Sequence, residues 1–266
     1  TRVRSSAASD VYKRQLHHSA QTYTEITGIS NNGVIVGTYY DGQYERSFID
    51  NGGVFSDLIL PLSDNNPNDI NDPNDINDPY YSNSSANPDG RNVGLTDVKV
   101  TGINDVGTTV GYYQNGYTAG STEDTFVDDG SELVGISNIL SGQGNGTTNI
   151  NGINDNGVVF GYYENPADNG FYYAGGVMTT LNVPGAYSTD ITDINDEGVI
   201  VGTYTDSSGE HGFEDKNGKF ITINAPVGAS YIDIGGINDA GEIVGWHGIN
   251  GGNGEIGFTT TLQIQP

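Results

Sequence analysis

Aromatic side chains recur at one place in several similar segments of this chain, two residues after a glycine. They are Tyr39, Tyr113, Tyr163, Tyr204 and His247, with Trp246 beside the last of them. Aromatic rings at equivalent places could stack on sugar rings, and they could equally fill the space between packed sheets. Carbohydrate binding and interior packing are therefore both open for these six residues.

Carboxylates recur at a second position, which alternates with an aliphatic position and so lies on one side of an extended strand. The position holds Glu25, Lys99, Asn149, Asp190 and Asp233. Glu25, Asp190 and Asp233 could hold a cation such as calcium, because calcium prefers oxygen ligands. A solvated wall that binds nothing is the alternative.

A third recurring feature, the N-D-x-G motif, favours a structural role. Asn and Asp side chains bond the local backbone, and glycine adopts the positive φ of a tight hairpin. The acidic position has the same use in every copy and is Asn31 in the first. We interpret the motif as a hairpin turn rather than a metal site. Its acidic members are Asp105, Asp155, Asp196 and Asp239.

These features belong to five copies of one repeat, with cores near residues 28–39, 102–113, 152–163, 193–204 and 236–247. The turn glycines are spaced 74, 50, 41 and 43 residues apart, so the period is near the last two values. Each period contains an alternating stretch, the N-D-x-G turn, a β-branched stretch, a stretch that opens on Phe, and a fourth stretch after a glycine turn. Four antiparallel strands per repeat are typical of a propeller blade.

The sequence therefore predicts an all-β fold, a five-bladed β-propeller of four-stranded antiparallel blades over residues 16–266. Pro61, Pro184 and Pro226 lie in the links that follow the fourth strands, which makes these links the blade-to-blade crossovers and places the first strand innermost. The last copy ends with one strand after Phe258, so blade five is expected to lack a fourth strand. We expect an upstream strand of the native gene to supply it.

The G-I-N-D-x-G-x-I-V-G-x-Y core, followed by His211-Gly212-Phe213 in the fourth copy, resembles the bacterial extracellular repeats called the HAF family. The resemblance covers roughly residues 20–60 and 93–262. It implies export or display on a bacterial surface, and it brings no established activity. Ser47-Phe48 and Thr125-Phe126 lack the His-Gly of the tripeptide, which suggests that the tripeptide is structural.

Catalytic motifs are absent from the sequence. It has no Cys, no G-x-S-x-G, no H-E-x-x-H and no Gly-rich phosphate loop, and two of its four histidines are His17 and His18 near the start. We therefore expect a non-catalytic binding or structural module. A glycoside hydrolase that uses two channel carboxylates is the alternative, because five-bladed propellers include such enzymes.

The amino-acid composition excludes some classes of binding partner. Nine Lys and Arg against 34 Asp and Glu give a net charge of −25, which repels nucleic acids and anionic membranes. No apolar run approaches the roughly 20 residues of a membrane-spanning helix. The expected partner is a glycan or another cell-surface polymer, and the expected cofactor is none or calcium.

Two segments stand outside the repeats. Residues 1–15 hold four of the nine basic residues and no Gly. They resemble a translated sequencing adapter and lack the apolar region of a secretory signal. Residues 63–92 contain a tandem PNDIND segment, which predicts a low-complexity loop. Its carboxylates could offer oxygen ligands to calcium but lack EF-hand order. They are Asp69, Asp72, Asp75 and Asp78.

Overall fold

The structure, a computed structural model, describes residues 23–40, 45–58, 60, 95–115, 123–130, 133–136, 147–249 and 254–261. These residues form nineteen strands in five antiparallel sheets, and none of them forms a helix. The sheets are the blades of a five-bladed β-propeller, so the predicted fold class is confirmed. The PNDIND segment, residues 1–15 and the expected upstream strand lie outside the described residues.

The strands of each blade follow chain order, so that every neighbour is joined by a hairpin. Blades one and two are β1 (Thr24–Ile29), β2 (Val34–Tyr40), β3 (Glu45–Asn51), β4 (Val54–Asp57), β5 (Leu95–Ile103), β6 (Thr109–Asn115), β7 (Glu123–Asp128) and β8 (Leu133–Gly135). Blade three is β9 (Thr148–Ile153), β10 (Val159–Glu164), β11 (Asp168–Ala174) and β12 (Val177–Thr180).

The last two blades differ in strand number. Blade four is β13 (Ser188–Ile194), β14 (Ile200–Asp206), β15 (Gly209–Lys216) and β16 (Lys219–Ile223). Blade five has three strands, as predicted, which are β17 (Ala229–Ile237), β18 (Glu242–Ile249) and β19 (Glu255–Thr261). The first strands of consecutive blades contact one another from β1 to β17, which confirms that strand one is innermost.

One glycine in each blade explains the repeated G-x-Y. In blade four, Gly202 pairs with Ile191 on strand one and with Phe213 on strand three. A methyl group at Gly202 would collide with the Asp190 carbonyl oxygen and with the Phe213 ring. The Phe213 ring covers the glycine and is fully buried, as are its counterparts Phe48, Phe126 and Phe171. The glycine on strand two therefore leaves room for the Phe ring of strand three, and that ring packs in the core.

The N-D-x-G turns are structural, as predicted, and they also join the blades. In blade four the Asn195 Oδ1 accepts from the Val199 backbone N–H at 2.9 Å, while its Nδ2 donates to the Asn238 carbonyl oxygen of blade five at 3.0 Å. The Asp196 backbone N–H donates to Asp239 Oδ1 at 3.0 Å. Equivalent carboxylate bonds link blades one to two, two to three and three to four.

The junction between blade five and blade one differs from the other four. Each of the others encloses a cluster of buried apolar side chains. At this junction Ile26 of blade one is 57% exposed and Val244 of blade five is 44% exposed, whereas their counterparts in the other blades are at most 3% exposed. Among the described residues the series of turn bonds also ends at Asp239. Blade five therefore presents an open sheet face, which we call the blade-five face.

Candidate functional site

The repeated tyrosines lie inside the blades. Tyr39, Tyr163 and Tyr204 are at most 8% exposed, and Tyr113 is partly buried with its ring centroid 6.4 Å from that of Phe126. Three hydroxyls bond to strand four of the same blade. The bonds are Tyr39 Oη to Asp57 Oδ1 at 2.6 Å, Tyr163 Oη to Thr180 Oγ1 at 3.1 Å and Tyr204 Oη to Thr222 Oγ1 at 2.9 Å. These positions are those of interior packing, the alternative that the sequence left open.

Trp246 and His247 occupy different surroundings. Trp246, the chain's single tryptophan, is 37% exposed on the blade-five face. The equivalent Thr38 in blade one is 2% exposed, because blade two covers it. His247 is partly buried, with its Nδ1 3.3 Å from the Gly248 carbonyl oxygen. Of the six predicted ligand-binding residues, Trp246 has the most accessible ring, and ligand binding by these residues stays a prediction.

Polar side chains surround Trp246 on the blade-five face. Asp233 of β17 is its direct partner across the strand pair, and Gly257 of β19 faces it on the other side. Tyr231 lies two residues before Asp233 on the same face and donates its hydroxyl to Glu255 Oε1 at 2.5 Å. An indole ring, two carboxylates and a phenol thus share one open surface.

Negatively charged groups lie close together on this face and affect the pKa values of their neighbours. The hydrogen bond to Glu255 is the main cause that raises the pKa of Tyr231. Partial burial raises the pKa of Asp233, and the Glu255 charge adds to the rise. Both carboxylates have free acceptor capacity in their charged forms, which suits a ligand that donates hydrogen bonds.

Two of the three predicted metal ligands influence each other. Asp190 accepts a hydrogen bond from Asn151 Nδ2 at 2.8 Å, and burial raises its pKa to about 6, with the charges of Asp168 and Asp233 adding to the rise. Glu25 is exposed on blade one and is not among those charges. The described residues include no group of three His, Cys, Asp or Glu placed to hold a metal ion. Calcium binding stays a prediction.

Sequence reasoning missed a second set of acidic residues, one at the start of each third strand. They stand three residues before the Phe of the third strand and are Glu45, Glu123, Asp168, Glu210 and Glu255. Glu45 Oε2 of blade one pairs with Lys99 Nζ of blade two at 3.1 Å. Glu210 of blade four instead interacts with Asp233 of blade five, which is also acidic. Burial raises the pKa of Glu210, and the negative charge of Asp233 raises it further. The regular spacing before each Phe was the signal that could have revealed this set.

One Ser, His and Asp cluster lies in the blade-four hairpin but lacks the geometry of a catalytic triad. Ser208 Oγ is 2.9 Å from His211 Nε2, and Asp206 Oδ1 is 3.3 Å from the same nitrogen. A triad needs the carboxylate on Nδ1, so that Nε2 can take the serine proton. Ser208 Oγ also donates to Asp206 Oδ1 at 2.6 Å, which ties up its proton. The cluster stabilises the hairpin.

No helix that could span a membrane is found in the described part of the chain. Comparison with protein-family models gives no match, and comparison with curated proteins gives no similar sequence. The resemblance of the repeats to the HAF family therefore remains a prediction from the motifs themselves.

Proposed function

We propose that this chain is a non-catalytic binding module of an exported bacterial protein, and that the blade-five face binds carbohydrate. The observation that carries the proposal is the exposed Trp246 side chain, whose cross-strand partner in the β17–β18 pair is Asp233. An indole offers a flat apolar surface to the C–H face of a sugar ring. A neighbouring carboxylate accepts hydrogen bonds from the sugar hydroxyls and fixes its orientation.

The surroundings of Trp246 support a sugar of modest size. Gly257 has no side chain, so the space beside the indole on that side stays open. Glu255 is already held by the Tyr231 hydroxyl, so little freedom of this carboxylate is lost on binding. The high negative charge of the chain opposes anionic polymers and favours neutral or cationic polysaccharides.

A panel of neutral, cationic and anionic polysaccharides tests the proposal by calorimetry with the full chain. We expect binding to a neutral or cationic polymer, with Trp246→Ala losing about tenfold in affinity, or ~1.4 kcal/mol. Tyr187→Ala is the matched control, because Tyr187 is also an exposed aromatic, 66% accessible, on blade four. Equal affinities of the two variants would overturn the assignment to Trp246, and no binding to any polymer would overturn the function.

One observation favours a glycoside hydrolase as the second candidate. Asp190, with its pKa raised to about 6, has the protonation behaviour of a general acid, and Asp168 is a nearby second carboxylate. Release of reducing ends from any polysaccharide that binds, lost in Asp190→Asn, would support this candidate. Binding without release of reducing ends would support the non-catalytic module.

A further inference from the structure

A pocket of about 450 Å³ opens between blades three and four, at the end of the propeller that carries the N-D-x-G turns. One wall comes from the turn between β9 and β10, from β11 and from Leu181 after β12. The other wall comes from β13, β14 and β15 and from the turns that follow β13 and β15. This volume is in the range of pockets that enclose small organic ligands. The pocket is separate from the blade-five face and from the strand-one carboxylates.

Asp215 is the feature that calls for a ligand in this pocket. Its side chain is only 3% exposed, and its Oδ2 accepts from the Gly218 backbone N–H at 3.3 Å, whereas its Oδ1 is buried without a hydrogen-bond partner. A buried acceptor without a partner is costly, and the cost is higher for a charged group. Asp128, the equivalent residue of blade two, places its Oδ1 2.8 Å from the Gly130 N–H. Asp215 is one of the residues that line the pocket, so the pocket wall contains a carboxylate with acceptor capacity that no described group uses.

The other walls define the chemistry of the ligand. Val158, Leu181, Ile194 and Ile200 line the pocket with aliphatic surface, and Tyr172 adds an aromatic ring. Such walls favour a hydrocarbon body over a polyol, because a polyol would leave hydroxyls without partners there. The ring of a tyrosine also attracts a cation.

Charge excludes anionic ligands and favours cationic ones. Asp196 joins Asp215 in the lining, and none of the described lining residues is Lys or Arg. The neighbouring pocket of about 480 Å³ between blades four and five is lined by Lys216 as well as by Glu197, Glu214 and Asp239, and the Lys216 charge acts on Glu214. Of these two pockets, the one between blades three and four has the more aliphatic wall and has no basic side chain among its described lining residues.

We propose that the pocket between blades three and four binds a small organic ammonium compound, whose N–H donates to the Asp215 carboxylate while its hydrocarbon body packs against Leu181 and Ile200. Binding gives the Asp215 carboxylate a further hydrogen bond. It also keeps the charge pair away from water, and the attraction between the two charges is stronger in a medium of low dielectric constant. The site takes a ligand class different from that of the blade-five face and does not depend on carbohydrate binding.

Calorimetry and thermal denaturation of the full chain with benzylammonium chloride test this site, with benzyl alcohol as the neutral probe of similar shape. We expect benzylammonium to bind at least tenfold more tightly than benzyl alcohol and to raise the melting temperature. Sodium chloride at about 0.15 M suppresses unspecific attraction to the acidic surface. Equal affinity for the two probes would overturn the proposal without the need for any variant.

Asp215→Asn supplies the second arm, because an amide keeps the shape and removes the charge. We expect the variant to fold, since a buried unpaired charge is removed, and to lose at least tenfold in benzylammonium affinity. Asp128→Asn is the matched control at the same position of blade two, outside the pocket, and should bind as the parent does. Unchanged affinity in Asp215→Asn, or an equal loss in Asp128→Asn, would contradict the assigned site.

Discussion

Replacing Asp190 by Asn isolates the energetic cost of the carboxylates that meet between the blades. Asp190 is partly buried in β13, and desolvation with the charges of Asp168 and Asp233 raises its pKa to about 6. An asparagine at this position still accepts the hydrogen bond that Asn151 Nδ2 now gives to Asp190 Oδ1. Its own amide group can donate to the neighbouring carboxylates. The substitution therefore removes a charge and retains the local bonding.

The sign of the effect follows from proton binding. Between the ordinary pKa of 3.8 and about 6, folded Asp190 holds a proton that the unfolded chain has lost. The contribution of Asp190 to the free energy of unfolding therefore falls as the pH rises through this window. Above it the raised pKa costs about 3 kcal/mol, and below about pH 4 it costs nothing. We expect Asp190→Asn to be more stable than the parent near pH 7, by up to that amount, and to lose this advantage near pH 4.

Urea denaturation at several pH values measures the difference, because urea leaves ionic strength unchanged. Other carboxylates with raised pKa, such as Asp193, titrate in both proteins and cancel in the comparison. Asp206→Asn is the control, since hydrogen bonds from Ser208 lower the pKa of Asp206, and it should give no gain near pH 7. The reasoning is refuted if Asp190→Asn has a free energy of unfolding equal to or below that of the parent at pH 7.

Three further substitutions test the packing of the blades, each by urea denaturation. Gly202→Ala should destabilise by about 3 kcal/mol or more because its methyl meets backbone, whereas Gly135→Ala, with its nearest neighbour at 3.9 Å, should cost little. Tyr204→Phe should cost about 1 kcal/mol through loss of the bond to Thr222. Asn195→Ala should cost about 2 kcal/mol, since it breaks both the turn and the link to blade five. A smaller loss in Asn195→Ala than in Tyr204→Phe would contradict the inter-blade role of the turns.

The fold could be predicted from the sequence because each repeat contains several independent signals for the same local structure, and the repeat occurs five times. The β-branched second strand and the Phe of the third strand agree in all five copies, and the N-D-x-G turn agrees in four, with Ser30-Asn31-Asn32-Gly33 at that place in the first. Among the described residues blade five has three strands, the last of which, β19, contains Phe258. This agrees with the prediction from the sequence that the last copy lacks a fourth strand.

The functional site was harder to predict, because it depends on contacts between blades. Side chains on a strand alternate between two faces, but the sequence does not say which face another blade covers. Tyr204 and Trp246 stand in adjacent repeat positions, and only the packing shows that the first faces the core and the second an open junction. Asp190 and Asp168 likewise belong to two different blades, and the sequence of one repeat does not determine the distance between residues of neighbouring blades.

Protection of the single tryptophan by a bound oligosaccharide tests the central claim most directly. Trp246 is the chain's only indole, so its fluorescence reports the blade-five face alone. A saturating oligosaccharide of a type that calorimetry shows to bind should shift the Trp246 emission and reduce its quenching by acrylamide. Asp233→Asn should require a higher sugar concentration for the same protection, because a hydrogen-bond acceptor beside the indole is weakened. Unchanged emission and quenching at a saturating concentration would place the sugar elsewhere and contradict the account.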